Sequence, residues 1–216
     1  WFAMTMREHL WHGTDFATGL CAIRANIFQV ARDADWGAPA NLLFRTGPAL
    51  RLPITLSVED LTKHLTAFKP AHLIIYPNTM AALAQHLDAA HLRPEGLRTL
   101  RTVGETVSPA LRETAERAFG APVIDSYSSQ ELGNIALQCP DSGLYHVMAE
   151  SLIVEVVDED GVPCKVGQVR RVVATDLHNF ATPLVRYDIG DYAEVAATCP
   201  CGRGLPALKR IVGRER

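Results

Sequence analysis

The sequence predicts an α/β protein with a parallel βαβαβ layer followed by a smaller antiparallel β subdomain. Two observations carry this. From His72 to Asp125, short β-branched apolar runs alternate with stretches of helical period, an alternation that generates parallel strands joined by right-handed crossovers. After Gly133 the apolar period shortens towards two and turn residues separate the runs, as in antiparallel hairpins. Residues 1–133 are therefore expected to form the α/β part and residues 134–216 the antiparallel part.

Residues 1–50 mix apolar and polar positions without one clean period, and Gly13, Gly19, Gly37 and Gly47 interrupt them; one or two helices are expected there. Ser57 offers a hydroxyl N-cap, Glu59 and Asp60 acidify the first turn, and Leu61, Leu65 and Phe68 recur at helical spacing until Lys69-Pro70 ends the helix. Residues 72–76 form a buried strand by their β-branched apolar content, and Pro77-Asn78 leads into a helix ending near Ala90. Residues 99–103 form the next strand. Ser108-Pro109 supplies an N-cap with proline at the first helical position, and Gly120 stops that helix before a strand over 122–125. Ligands of such a layer gather beyond the carboxyl ends of its strands, where Gly104-Glu105 and Ser126-Tyr127 fall. Further strands are expected over 151–157, 167–175 and 192–196, with Asp158-Glu159-Asp160-Gly161 as a turn.

The chain has 216 residues, 48% hydrophobic and 21% charged, enough apolar material for a sizeable core. Its net charge of −3 comes from interleaved signs, so no basic face advertises nucleic acid or an anionic membrane. No apolar run approaches the roughly 20 residues that span a bilayer, and Trp1-Phe2-Ala3-Met4 lacks the marks of a signal peptide. The expectation is a cytoplasmic protein with a small-molecule partner, no nucleic acid and no membrane. A chain that opens on Trp1 and closes soon after Gly213-Arg214 is expected to be part of a longer protein. Its five unevenly spaced cysteines favour reduced thiols or metal ligands over a disulfide framework.

The chemistry lies in an ordered set of blocks: Ser126-Tyr127-Ser128-Ser129-Gln130-Glu131-Leu132-Gly133, then Leu184-Val185-Arg186-Tyr187-Asp188-Ile189-Gly190-Asp191, then Gly213-Arg214. Activating a carboxylate with ATP requires a flat surface for adenine, a carboxylate for the ribose hydroxyls and cationic or metal neutralisation of the phosphates. Tyr127 suits adenine stacking, Glu131 a Mg²⁺ shell, Asp191 the ribose, and Arg214 ribose or phosphate.

The order and spacing of these blocks resemble the adenylate-forming (AMP-binding) superfamily, and specifically its phenylacetate–CoA ligase-like branch. Tyr127 and Glu131 match a Tyr-Gly-x-Thr-Glu block, Arg186, Tyr187, Gly190 and Asp191 match an Arg-Tyr-x-x-Gly-Asp block, and Gly213-Arg214 matches the entry to a hinge. Gly104-Glu105-Thr106 resembles the branch's loop beside adenine and acyl substrate. The resemblance implies part of the large N-terminal domain of an acyl-CoA synthetase-like fold. It further implies a nucleotide-binding set of Gly104, Glu105, Thr106, Ser126, Tyr127, Ser128, Ser129, Gln130, Asp191 and Arg214, with Glu131 as the catalytic Mg-ATP ligand. The implied reaction joins a carboxylic acid to CoA through an acyl-adenylate, consuming ATP and releasing AMP. Ser128 stands where the family has glycine, and Gln130 where it has a hydroxyl. A Ser/Thr/Gly-rich phosphate loop ending in Lys and the family's C-terminal catalytic lysine are absent, so this chain alone is expected to be inactive. The alternatives are a non-catalytic nucleotide- or acyl-binding module and a zinc-stabilised structural or interaction domain.

Cys139, His146, Cys199 and Cys201 bracket the antiparallel part, and their thiolates and imidazole make a closed tetrahedral shell for structural Zn²⁺. Members of the resembled branch with a similar pattern look zinc-bound. Cys21 and Cys164 are spectators, and His9 and His12 are surface or satisfied core groups. Tyr76-Pro77-Asn78 suits either the acyl pocket or a helix cap at Asn78.

Overall fold

A computed structural model describes residues 2–214. The chain divides into two compact units: Gly13–Asp125, and Ala3–His12 together with the chain from Ser126 onward. Helix α1 (Phe2–Trp11) belongs to the second.

The first unit holds β1 (Leu20–Arg24), β2 (Ala31–Asp33), α2 (Ala40–Leu43), β3 (Ala49–Pro53), α3 (Val58–Phe68), β4 (His72–Ile75), α4 (Pro77–Ala89), β5 (Thr99–Thr102), α5 (Pro109–Phe119) and the start of β6 (Val123–Ser129). Its strands lie in the order β2-β3-β1-β4-β5-β6, all parallel except β2 against β3. Leu50, Leu52, Leu73, Ile75, Leu83, Leu100 and Phe119 are fully buried between sheet and helices. The caps fall where the sequence puts them. Ser57 Oγ accepts from the Asp60 amide at 3.1 Å, Ser108 Oγ accepts from Leu111 at 3.2 Å, and Gly120 closes α5 in the left-handed conformation at φ 69°.

Residues 1–50 contain the expected helices, but also strands β1, β2 and β3. β1 and β3 are short, and Cys21, Ala22 and Pro53 dilute their strand character, so pairing defines them, β1 with β3 and β4 and β3 also with β2. The cap of α4 is Tyr76, and Asn78 is not a cap: its amide donates to Glu105 Oε2 at 2.9 Å. The carboxylate of the loop after β5 thus satisfies an open amide at the N-terminus of α4.

The second unit contains β7 (Gly133–Gln138), β8 (Tyr145–Val147), β9 (Leu152–Val157), β10 (Val169–Asp176), β11 (Tyr187–Val195) and β12 (Ala207–Gly213). With the last residues of β6 they form an antiparallel sheet in the order β6-β7-β8-β12-β11-β10-β9. Tyr127, Ile135, Val147, Val172, Ala193 and Leu208 form its core. Arg7 of α1 pairs with Glu150 at 2.7 Å. Asp158 Oδ1 accepts from the amides of Asp160 and Val162, the expected turn chemistry between β9 and β10.

The polar block does not end a strand at Asp125. β6 continues through Ser129, and only Gln130 to Leu132 form the turn into β7. β11 likewise begins at Tyr187 rather than 192, which places Asp191 inside a strand. Polar side chains mask these strands, which are defined by backbone pairing with the neighbouring strands β7, β10 and β12 rather than by an apolar period. No helix among the described residues is long and apolar enough to cross a membrane.

Candidate functional site

Irregular pairing brings the separated blocks together. The β6–β7 register shifts between Tyr127 and Ser128, and Arg171↔Tyr192 jumps to Val173↔Asp188, so β11 bulges across Ile189, Gly190 and Asp191. Gly190 supports that bulge at φ 81°, a conformation costly for a residue with a Cβ. Gly213, at the end of β12, pairs with Tyr192, which places Arg214 beside Asp191.

Both Asp191 oxygens are engaged. The Tyr127 hydroxyl donates to Oδ2 at 3.0 Å, and Arg214 Nε lies 3.6 Å from Oδ1. Burial, followed by the Asp191 charge and its hydrogen bond, pushes the Tyr127 phenol up and keeps it a donor. Tyr127 is 6% exposed as a residue and packs into the core, leaving little face for an adenine base. Its side-chain hydrogen bond is to Asp191. Glu131 is exposed; a hydrogen bond from its own amide, then one from Ser129, then Arg214, keep its carboxyl below the usual range.

The remaining expected residues divide. Ser126 is buried and donates to the Glu8 carboxylate of α1, and Ser129 Oγ accepts from the Leu132 amide at 3.1 Å, so both brace the hairpin. Ser128 is half-buried and Gln130 exposed at the turn. Gly104, Glu105 and Thr106 form an exposed loop of the parallel unit, where a Cβ on Gly104 would meet Tyr76 at 3.4 Å. Arg186 turns away from Asp191: at φ 46° it grips Glu155 at 3.1 and 3.3 Å and the Gly161 carbonyl at 2.7 Å, clasping the β9–β10 hairpin.

Cys139, His146, Cys199 and Cys201 converge, with one ligand atom from each lying within 4.8 Å of the others. The Cys199 and Cys139 sulfurs are 3.9 Å apart, and His146 Nε2 is 3.2 Å from Cys201 Sγ. A tetrahedral zinc shell has edges of about 3.6–3.8 Å, so the donor set and its spacing fit that ion. The turn between β7 and β8 is closed by amides: Cys139 donates to Leu144 at 2.7 Å and Gly143 to Cys139 at 2.9 Å. Burial pushes the Cys201 thiol up, but hydrogen bonds from the Arg203 amide and side chain, with those of Cys199 and Cys139, outweigh it and bring it to about 7.

Sequence reasoning missed the groups around the cluster. Arg203 Nη1 is 2.6 Å from Asp141 Oδ2 and 3.5 Å from Cys139 Sγ, its guanidinium lies 4.9 Å over the Trp11 ring, and Trp11 meets His146 edge-on at 5.6 Å. Ser142 Oγ is 3.1 Å from Cys199 Sγ. The available signal was adjacency, since Asp141 and Arg203 each follow a cysteine by two residues.

The chain matches no family model. It is 28% identical over 154 residues to phenylacetate-coenzyme A ligase of Thermus thermophilus, covering 68% of this chain and 35% of that relative. A crystal structure of 2-hydroxyisobutyryl-CoA ligase with an adenylate in the postadenylation state superposes with a TM-score of 0.78 at 25% identity, covering 98% of this chain and 47% of that one. An anthranilate CoA ligase bound to anthranoyl-AMP shares the fold at a TM-score of 0.65 and 19% identity, over 97% of this chain and 42% of that one. The chain thus spans roughly a third to a half of these proteins. Its likeness in sequence and fold is to the adenylate-forming superfamily. Within that superfamily its likeness lies with the CoA ligases, in the phenylacetate–CoA ligase-like branch.

Proposed function

We propose that this chain supplies the ribose- and metal-binding wall of an ATP-dependent acyl- or aryl-CoA ligase. A substrate carboxylate oxygen attacks the α-phosphorus of ATP and pyrophosphate leaves. The CoA thiol then loses its proton, attacks the acyl carbon and displaces AMP. The carrying observation is the meeting of Tyr127, Asp191 and Arg214, from three separated blocks, around one carboxylate. Asp191 accepts from the ribose hydroxyls while Tyr127 holds it in place, and Arg214 exchanges its ion pair for ribose or phosphate. Glu131, an exposed oxygen donor, ligates Mg²⁺. Ser126 and Ser129 brace the hairpin that presents Ser128 and Gln130 to the phosphates; Gly104, Glu105 and Thr106 join the nucleotide set on family resemblance alone.

Calorimetric titration with AMP tests the wall directly. Asp191→Ala is expected to weaken binding roughly tenfold or more, the value of a hydrogen bond to a charged group, with the circular dichroism unchanged. Equal affinity overturns the assignment. The reaction is tested by carboxylate-dependent exchange of pyrophosphate into ATP in the complete gene product, and silence across a broad acid panel favours a non-catalytic binding module. The 216 residues alone hold no Ser/Thr/Gly-rich loop ending in Lys and are expected to bind nucleotide without turnover.

Cys139, His146, Cys199 and Cys201 hold a structural zinc in this reading. The ion supplies a cross-link between the β7–β8 turn and the β11–β12 loop, and four protein ligands leave it no open position. The residues around it set its charge and orient its ligands.

A further inference from the structure

Three thiolates at −3 and a zinc ion at +2 leave the Cys₃His cluster with a net charge of −1. Cys139 is 2% exposed, Cys199 5% and His146 0%, so that charge sits largely out of water and requires a nearby cation or donor. Arg203 supplies both. Its Nη1 reaches the Cys139 sulfur and the Asp141 carboxylate, while its guanidinium carbon lies 4.9 Å over the Trp11 ring. A ligating imidazole ordinarily has its second nitrogen fixed by a carboxylate or carbonyl, yet His146 Nδ1 is buried without a hydrogen-bond partner. The Trp11 ring, meeting the imidazole at 78°, takes over the task of orienting it.

We propose that Arg203 is the positioning residue of this centre: it fixes the Cys139 thiolate, offsets the cluster's charge and clamps Trp11 against His146. The C-terminal end of α1 is thereby coupled to metal occupancy. A guanidinium suits this because its Nη1 can serve both acceptors while the rest of the extended cation lies over the indole, a span that a compact ammonium does not match. The inference rests on the zinc reading above.

Its test is zinc affinity by chelator competition in the purified chain, read together with tryptophan emission. Arg203→Met is expected to keep one zinc per chain but bind it roughly ten- to a hundredfold more weakly, the range for lost outer-shell partners. Arg203→Lys, which keeps the charge and loses the fork, recovers only part of that. Zinc loading changes the emission of the wild type, leaves that of Trp11→Phe unchanged and moves that of Arg203→Met less. A wild type that takes up no zinc sinks the metal reading and this inference with it. A wild type that binds zinc, with Arg203→Met within twofold of it, overturns the role of Arg203 alone. If Arg203→Met does not fold, Arg203→Lys decides by the same twofold criterion.

Discussion

In the parallel unit, β3, β4 and β5 place Leu50, Leu52, Leu73, Ile75 and Leu100 beyond the reach of solvent, and α4 and α5 cover them with Leu83 and Phe119. Every layer there is held by apolar burial, worth about 1.5–3 kcal/mol for each such side chain. The antiparallel unit has fewer large aliphatic side chains in its core, and the loops at its β7–β8 and β11–β12 connections meet through sulfur, imidazole and guanidinium. One unit is stabilised by a distributed core, the other partly by a local knot. The difference explains how the second can hold a polar, bulged strand at Asp191: the knot ties β12, which carries Gly213 next to Arg214, to the strands beside it.

The sharpest way to break this contrast is to cut the knot. With the proposed zinc bound, Cys199→Ser or exhaustive chelation is expected to destabilise the antiparallel unit by on the order of 5 kcal/mol, less than the full binding energy of a structural zinc because the unit keeps its own core. Hydrogen exchange resolved by peptide checks it: protection should fall in β7, β8 and β12 while β4 and β5 stay protected. Equal loss in both units would show that the knot supports the whole chain rather than one part.

A middle-sized effect tests the other unit. His72 is 2% exposed; its Nδ1 lies 2.8 Å from Thr99 Oγ1, and its ring meets Trp36 edge-on at 5.6 Å. Burial, then the Arg101 charge, lower its pKa from 6.5 to about 4, with Arg98 adding to the effect and Asp15 opposing it. Because the unfolded chain takes up this proton first, stability is full above pH 6.5 and falls as the pH drops towards 4, by about 2 kcal/mol between pH 7 and pH 5. Denaturant unfolding at the two pH values should show His72→Gln losing less than the wild type. A variant with the same loss removes His72 from the account.

Legibility followed the same division. The helices of the parallel unit were readable because Ser57, Ser108 and Gly120 act within a few residues of themselves, and local chemistry leaves a local trace. β1 and β3 escaped because Cys21, Ala22 and Pro53 carry weak strand preference, and their partners lie far along the chain. The cysteine cluster was readable from residue type, from its placement at both ends of the antiparallel part and from the family resemblance. What sequence did not reveal was orientation: that Tyr127 would be buried against Asp191, that Arg186 would face Glu155, and that Glu105 would engage the start of α4. Side-chain direction in these places depends on bulges and left-handed residues, which pairing determines and periodicity does not.

The smallest expected effect isolates what local chemistry contributes. Ser108→Ala removes the acceptor for the Leu111 amide, which is expected to cost about 1 kcal/mol, with Ser108→Asp restoring most of it because a carboxylate both caps and complements the helix N-terminus. Urea midpoints at pH 7 measure the difference. The cost should appear in exchange protection of α5 and the strands it covers, and zinc stoichiometry should not change, since the cap belongs to the parallel unit and the ligands to the other. If Ser108→Ala instead weakened zinc binding, the two units would be energetically coupled, and the distributed core and the local knot would have to be treated as one cooperative structure.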